Sequence, residues 1–337
     1  MTAAAAVETP IPYQRQFALA ACAAGLVYAV TAPAFTPGST LRTLGSIFMF
    51  AALAQAWNVI GGFAGYASFG NVVFFGLGGY TVAVLMAKAR WPFWPALAVA
   101  LVFGVLYAAL IGLPVLRLRG HYFAIATLGV AEGTREIVLN LPRLTGGGGG
   151  ITVPALGSLA TTRYPGNTAF YYYFLGLMIV ATVVVWLISR ARFGYALRAI
   201  HQDEDAAASV GIDTTRAKTA AFAISGGLTA VAGAIFAFQQ VTIYPERLFS
   251  VEITVLFVVM AVIGGTGTVV GPVVGAVALQ FLSEYLRRHY LEVHTLIFGA
   301  IIVLAVIFLP QGSVSFARES LTERRLPFLD NIRRNRL

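Results

Sequence analysis

Charge is scarce in this chain. Only 11% of its 337 residues are Asp, Glu, Lys or Arg, against about 25% in an ordinary soluble domain. That scarcity excludes a water-soluble enzyme with one core. It also fits poorly with disorder, which needs low hydrophobicity and high net charge. Cysteine is nearly absent: Cys22 stands alone in an apolar run, so no disulfide framework or cysteine metal centre can be built. The four histidines show no metal-ligand spacing, and the sequence has no site for a resident metal or cofactor. No Gly-x-x-x-x-Gly-Lys-Ser/Thr phosphate loop occurs. The Gly-x-Ser-x-Gly turn of a serine hydrolase is missing too, because Tyr66 occupies the first glycine position before Ser68. The chain reads as a non-enzyme.

What is abundant is apolar surface. Hydrophobic residues make up 58% of the chain, enough for eight to ten segments of about 20 residues each. A transmembrane β-barrel would dilute that content by alternation. The apolar runs fall at 17–35, 42–60, 70–87, 93–116, 121–140, 168–189, 217–241, 251–270, 271–286 and 293–310. The fold expected is therefore all-α, a polytopic transmembrane helix bundle of about ten spans forming one membrane-embedded domain. The Gly-rich stretch 264–275, with Pro272, reads either as a loop between two spans or as a break inside one long segment. Residues 1–16 hold a single base, Arg15, with Glu8, Pro10 and Pro12, so the first run is read as a retained helix behind a short tail.

The net charge of +9 suits cytoplasmic loops of a membrane protein better than nucleic acid. With the N-terminus inside, fourteen Lys and Arg residues fall on inner segments and eight on outer ones. The excess concentrates in loop 190–218 and in tail 311–337, which carries six arginines. Both are placed in the cytoplasm, as are both termini. The outer segment 141–167 contains five consecutive glycines at 146–150. Without side chains to pack, it is expected to be mobile, or ordered only by a docked partner.

Three groups of residues carry possible chemistry. In loop 190–218, Asp203, Glu204 and Asp205 precede Ala206, Ala207, Ala208 and Ser209, and Gly211 follows. Acids at a helix start and glycine just past its end describe a compact capped helix outside the bilayer. It reads either as a docking element or as a solvated connector. The pairs Gly61-Gly62 and Gly264-Gly265 are candidate helix breaks, a pointer to transport sites when they recur in two halves. Asn58 and Ser68 flank the first break, with Asn71, Phe74 and Phe75 beyond it. They are candidates for lining a passage, the alternative being hydrogen bonds between helices. Gln239 and Gln240 are similar. Glu132, Arg135 and Glu136 share one face of the fifth run. They are read as a structural ion cluster or as a contact with substrate or a second subunit. Glu284 with Arg287 and Arg288 poses the same choice.

Several stretches then resemble one family closely. Asp205-Ala-Ala-Ala-Ser-Val-Gly211 is similar to the Glu-Ala-Ala, three residues, Gly motif of ABC-importer permeases, with Asp for Glu. Ala56-Trp57-Asn58-Val59-Ile60-Gly61-Gly62, Phe74-Phe75-Gly76-Leu77-Gly78-Gly79-Tyr80, Arg119-Gly120-His121-Tyr122-Phe123-Ala124, Arg192-Phe193-Gly194-Tyr195-Ala196 and Gly264-Gly265-Thr266-Gly267 resemble the branched-chain amino-acid permeases of the LivM type. Tyr66-Ala67-Ser68 and Phe69-Gly70-Asn71 depart from that family's usual Gln-Leu-Ser and Leu-Gly-His. The resemblance implies a permease subunit of an ATP-driven importer in a bacterial cytoplasmic membrane. Asp205, Ala206, Ala207 and Gly211 would then form the helix that couples to the ATPase. The implied partners are a second related permease, two ATPase subunits that hold ATP and Mg, and an extracytoplasmic solute-binding protein. The implied cargo is branched-chain or other small hydrophobic amino acids. Urea, short amides or sugars are alternatives within the fold, and an ion-coupled secondary carrier is the alternative from another class.

Overall fold

The computed structural model describes residues 25, 27–153, 166–290 and 293–308. The expected N-terminal tail 1–16, most of the run 17–35 with Cys22, and the basic tail 311–337 lie outside the described residues. The helices, in chain order, are α1 (Gly38–Asn58), α2 (Val72–Ala87), α3 (Phe93–Val115), α4 (His121–Leu139), α5 (Pro142–Thr145), α6 (Asn167–Arg190), α7 (Arg192–Gln202), α8 (Glu204–Ser209), α9 (Thr214–Gln240), α10 (Pro245–Leu248), α11 (Val251–Gly264), α12 (Gly271–His289) and α13 (His294–Phe308). The described strands are two residues each, β1 (Ile151–Thr152) and β2 (Thr242–Ile243), paired antiparallel with Ile151 opposite Ile243.

Helices α1 and α9 form the centre. In each, 72% of the most apolar window is buried, against 28% in α3 and 33% in α6. The way α3 packs shows how an all-apolar helix chooses a face. After Phe93 at its first position, its buried positions are Ala96, Ala100, Gly104, Ala108 and Gly112, small residues repeating every fourth place. Its large residues, among them Leu106, Leu110 and Leu113, point outward. Lipid is as apolar as leucine, so membrane helices associate where small residues let backbones approach. Helix α9 supplies the matching surface. A methyl group on Gly104 would stand 2.5 Å from the Ala230 side chain. One on Gly78 of α2 would stand 2.0 Å from the Ala230 carbonyl oxygen, and one on Gly233 of α9 would stand 1.9 Å from that of Phe75. Gly78→Leu should therefore push α2 off α9, destabilising the chain by about 1–3 kcal/mol or more. A thermal midpoint equal to wild type in detergent would contradict this contact.

Ten spans are not confirmed. Among the described residues, five segments are long and apolar enough to cross a membrane: 38–63, α3, α6, α9 and 245–264. The run 70–87 shortens to the 16 residues of α2, because loop 64–71 re-enters the bundle first. Asn71 donates to Ser225, eleven residues and about 16 Å along α9. Helix α4 carries Glu132, Arg135 and Glu136, and α12 carries Glu284, Arg287 and Arg288. Each therefore holds three charged residues near one end.

The two glycine breaks meet. After Asn58, α1 continues as one wide π turn over Val59–Phe63. At the other break, α11 stops at Gly264, Gly265 takes φ 114°, and α12 returns antiparallel against α11. A methyl on Gly275 would strike the Met260 carbonyl. The stretch 264–275 is thus the turn of a helical hairpin. Its tip sits on the first break: Gly267 N–H donates to Asn58 Oδ1 at 2.8 Å, and Asn58 Nδ2 donates to the Thr268 carbonyl at 2.8 Å.

The glycine run 146–150, which composition leaves mobile or ordered only by a docked partner, is held by contacts within its own chain. Thr145 Oγ1 donates to the Val138 carbonyl at 2.6 Å and accepts from Gly147 N–H at 3.2 Å. Gly150 leads directly into β1 with φ 74°. A side chain there would meet the Ile243 carbonyl of β2. The glycines permit a tight turn that the β1–β2 pair then fixes.

Candidate functional site

At one end of the bundle, α7 and α8 form a compact cap. Asp203 ends α7 and caps α8, its Oδ1 accepting from the Asp205 and Ala206 amides, both at 2.9 Å. Helix α8 closes on a paired C-terminal turn. Ile212 N–H donates to the Ala207 carbonyl at 3.1 Å and Gly211 N–H to that of Ala208 at 3.0 Å. Gly211 sits at φ 89°, a left-handed position that glycine alone enters without cost. The helix expected from the acids and glycine of this loop is present, six residues long. Ala206, Ala208, Ser209 and Val210 face outward. Ala207 does not: it is buried against its own chain.

The inner face of α8 is anchored by a charge cluster that spacing alone does not reveal. Glu204 Oε1 accepts from Lys218 Nζ at 2.6 Å, and its other oxygen accepts a short bond from the Tyr66 hydroxyl. Lys218, at the base of α9, is almost wholly buried. Its remaining donors go to the Leu116 carbonyl at 2.9 Å and to the Tyr66 oxygen at 3.0 Å. Burial acts to raise the Glu204 pKa, but the Lys218 and Tyr66 hydrogen bonds and the Lys218 and Arg119 charges together hold it below the usual carboxylate value. The pair therefore persists above the ordinary carboxylate range and is lost only as pH falls through the lowered value. Arg119, in the α3–α4 loop, grips Asp205 with two bonds of 2.9 and 2.8 Å. Its hydrogen bond holds Asp205 below its ordinary pKa. Because both partners are exposed, this outer pair adds little stability. A cavity of about 510 Å³ lies beside the cluster, lined in part by Tyr66, Arg119, His201 and Glu204. One visible signal was Lys218 at the head of the apolar run 217–241.

The candidates around the first break lie in the packed interior. Asn58 is buried and uses both side-chain ends to hold the hairpin tip. Asn71 is buried, with Nδ2 on Ser225 at 2.8 Å and Oδ1 unpartnered. Ser68 is buried, its carbonyl accepting from Trp57 Nε1 at 2.8 Å while its hydroxyl has no partner. Phe74 packs edge-on to Phe222, ring centres 5.2 Å apart, and Phe75 lies 5.3 Å from Phe236. None of the five lines the cavity beneath α8 or the larger one at the opposite end. Asn71 and Ser225 lie in a buried polar seam with Thr254, which accepts from Val72 N–H at 3.1 Å, and Thr229, which donates to the Ser225 carbonyl at 2.8 Å. The ion cluster on α4 is local. Arg135 bridges Glu132 and, at 3.1 Å, Glu136, with both carboxylates about half exposed. Its glutamates point outward, and Arg135 is partly buried, its Nε without a partner.

Comparison with known proteins gives a consistent result. The family model described as "Branched-chain amino acid transport system / permease component" matches residues 39–306. The high-affinity branched-chain amino acid transport system permease proteins LivM of Salmonella typhimurium and Escherichia coli K12 are each 31% identical over 319 residues, covering 88% of this chain and 75% of theirs. A shorter match, 32% identical over 126 residues, covers 34% of this chain and 39% of the ribose import permease protein RbsC of Bacillus subtilis. No solved structure matches.

Proposed function

This chain belongs to the branched-chain amino acid transport permease family, and from that premise we propose that it is the membrane-spanning subunit of an ATP-driven importer. Its cargo is branched-chain or other small hydrophobic amino acids. It works in a bacterial cytoplasmic membrane beside a second permease. Two separate ATPases hold ATP and Mg, and an extracytoplasmic binding protein delivers solute. The cap of α7 and α8 lies on the cytoplasmic side, with both termini.

The observation that carries this reading is the anchoring of α8. A short helix with an outward face of small residues suits a partner's groove, and its inward Glu204 is bonded to Lys218 and Tyr66. Movement of a docked ATPase would displace α8. That displacement passes to the base of α9 through Lys218 and to the re-entrant loop 64–71 through Tyr66. Helix α9 packs backbone to backbone on α2 and α3, so the three move together. The seam at Asn71 and Ser225 is where such a movement would part the bundle, exposing the unpartnered Ser68 and Asn71 oxygens to a zwitterionic solute.

The test is reconstitution of the chain in liposomes with the permease, ATPases and binding protein encoded beside it. Leucine, isoleucine and valine uptake should require ATP and the binding protein, and should survive ionophores that collapse proton and sodium gradients. Uptake that ignores ATP but stops with an ionophore would establish a secondary carrier instead. Competition by urea, acetamide or ribose, with none by leucine, would reassign the cargo.

A further inference from the structure

At the end of the bundle opposite α8 lies a cavity of about 890 Å³, within the size range of small-molecule sites. It is walled by the start of α1, the end of α12 and the end of α9, with Arg247 of α10 at the edge. Phe236 is the one apolar residue of its lining. Polarity on this scale is out of place in helices that are otherwise apolar, and its spacing is regular. Ser39, Arg42 or Thr43, and Ser46 follow one another by three or four residues along one face of α1. Gln280, Ser283 or Glu284, and Arg287 do the same along α12. Each is a helical stripe, and both stripes turn into the same cavity. Solvated helix ends would scatter polar residues around the helix instead of aligning them.

Among the described lining residues the charges do not cancel. Glu284 is matched by Arg287 and by Arg288, the latter at 2.8 Å. Arg42 and Arg247 have no carboxylate within ion-pair distance among the described residues. Four arginines thus face one glutamate across a cavity on the side away from the coupling helix. A planar guanidinium presents paired donors that fit a carboxylate.

We propose that this cavity is the entry site of the importer, with Arg42 and Arg247 binding the carboxylate of the solute. The solute's apolar side chain lies toward Phe236, and its ammonium toward Glu284. This deepens the transport reading given above and rests on it for the identity of the solute. The site takes monocarboxylates of modest size and rejects their amides.

Two measurements on the assembled complex test it. The first is footprinting with phenylglyoxal, which modifies free guanidinium groups, read by peptide mass spectrometry in lipid nanodiscs. Leucine and 4-methylpentanoate should protect Arg42 and Arg247, whereas leucinamide should not. Equal labelling with all three overturns the site. So does protection produced only by adding unliganded binding protein, which would make the arginines a protein-docking surface. The second measurement is transport by the R42Q/R247Q variant. Leucine uptake should fall by about tenfold or more, the scale of one lost charge-assisted hydrogen bond, while binding-protein-stimulated ATP hydrolysis is retained. Unchanged uptake, or loss of uptake and stimulation together, overturns the proposal. The footprint needs no transport. If the wild-type complex imports no leucine, the cargo reading fails on that result and the carboxylate site is still decided by protection.

Discussion

Replacing Lys218 with methionine should destabilise this chain by about 3–5 kcal/mol, the usual effect of removing one partner from a buried ion pair. Glu204 would keep its place beneath α8 with only 14% of its side chain exposed, and its charge would lose the ammonium 2.6 Å away. Glu204→Gln should be milder, because the amide still accepts a bond from Lys218 and the Lys218 ammonium keeps the Leu116 carbonyl and Tyr66 oxygen. The double variant Lys218→Met with Glu204→Leu should recover much of the lost stability, since removing both charges together leaves neither unpaired. Thermal midpoints in detergent separate the three. Transport should not follow stability, however. The double variant lacks the link between α8 and α9, so it should fold, bind the ATPase and still import poorly. If it imports as wild type does, the cluster only holds the cap together and transmits nothing. If Lys218→Met melts at the wild-type temperature, the pair carries no stability at all.

That cluster also shows where reading the sequence stops. Apolar runs place most of the helices, because a span needs only length and composition. The two glycine breaks and the left-handed turn at Gly211 are equally local, since each follows from what one residue's backbone can adopt. Partners are not local. Tyr66 and Lys218 are 152 positions apart, and Asn58 and Gly267 are 209 apart. A polar side chain inside an apolar segment either faces a passage or satisfies a distant backbone, and the segment reads the same in both cases. By that logic Asn58 stays open between lining a passage and bonding other segments, and in the structure it holds a hairpin tip. The glycine run 146–150 poses the same problem in a loop. Glycine is flexible when free, but here β2, some ninety residues on, is paired with its end. Arg42 and Arg247 look like ordinary charged helix ends until three helices bring them to one cavity.

Docking of the ATPase should depend on the outward face of α8 and not on Ala207. Val210 is 78% exposed and Ala206 stands free on the same surface. Ala206→Trp and Val210→Asp should leave the chain's own stability within about 0.5 kcal/mol, as exposed substitutions usually do. Against a close-fitting groove the same tryptophan overpacks, weakening association by about 1–3 kcal/mol, roughly 5- to 150-fold. ATPase recovered with the affinity-purified permease should fall, and uptake with it. Ala207→Trp makes the contrast: its side chain has no room inside the cap, so it should lower the thermal midpoint before any partner is added. Gly211→Val separates backbone from bulk. Nothing lies within 4 Å of the position where its Cβ would stand, so its penalty is the positive φ alone, about 1–3 kcal/mol, acting on the turn that closes α8. Stoichiometric ATPase and normal uptake with both Ala206→Trp and Val210→Asp would move the docking surface elsewhere, and α7, which leads into α8 through Asp203, would be the next face to alter.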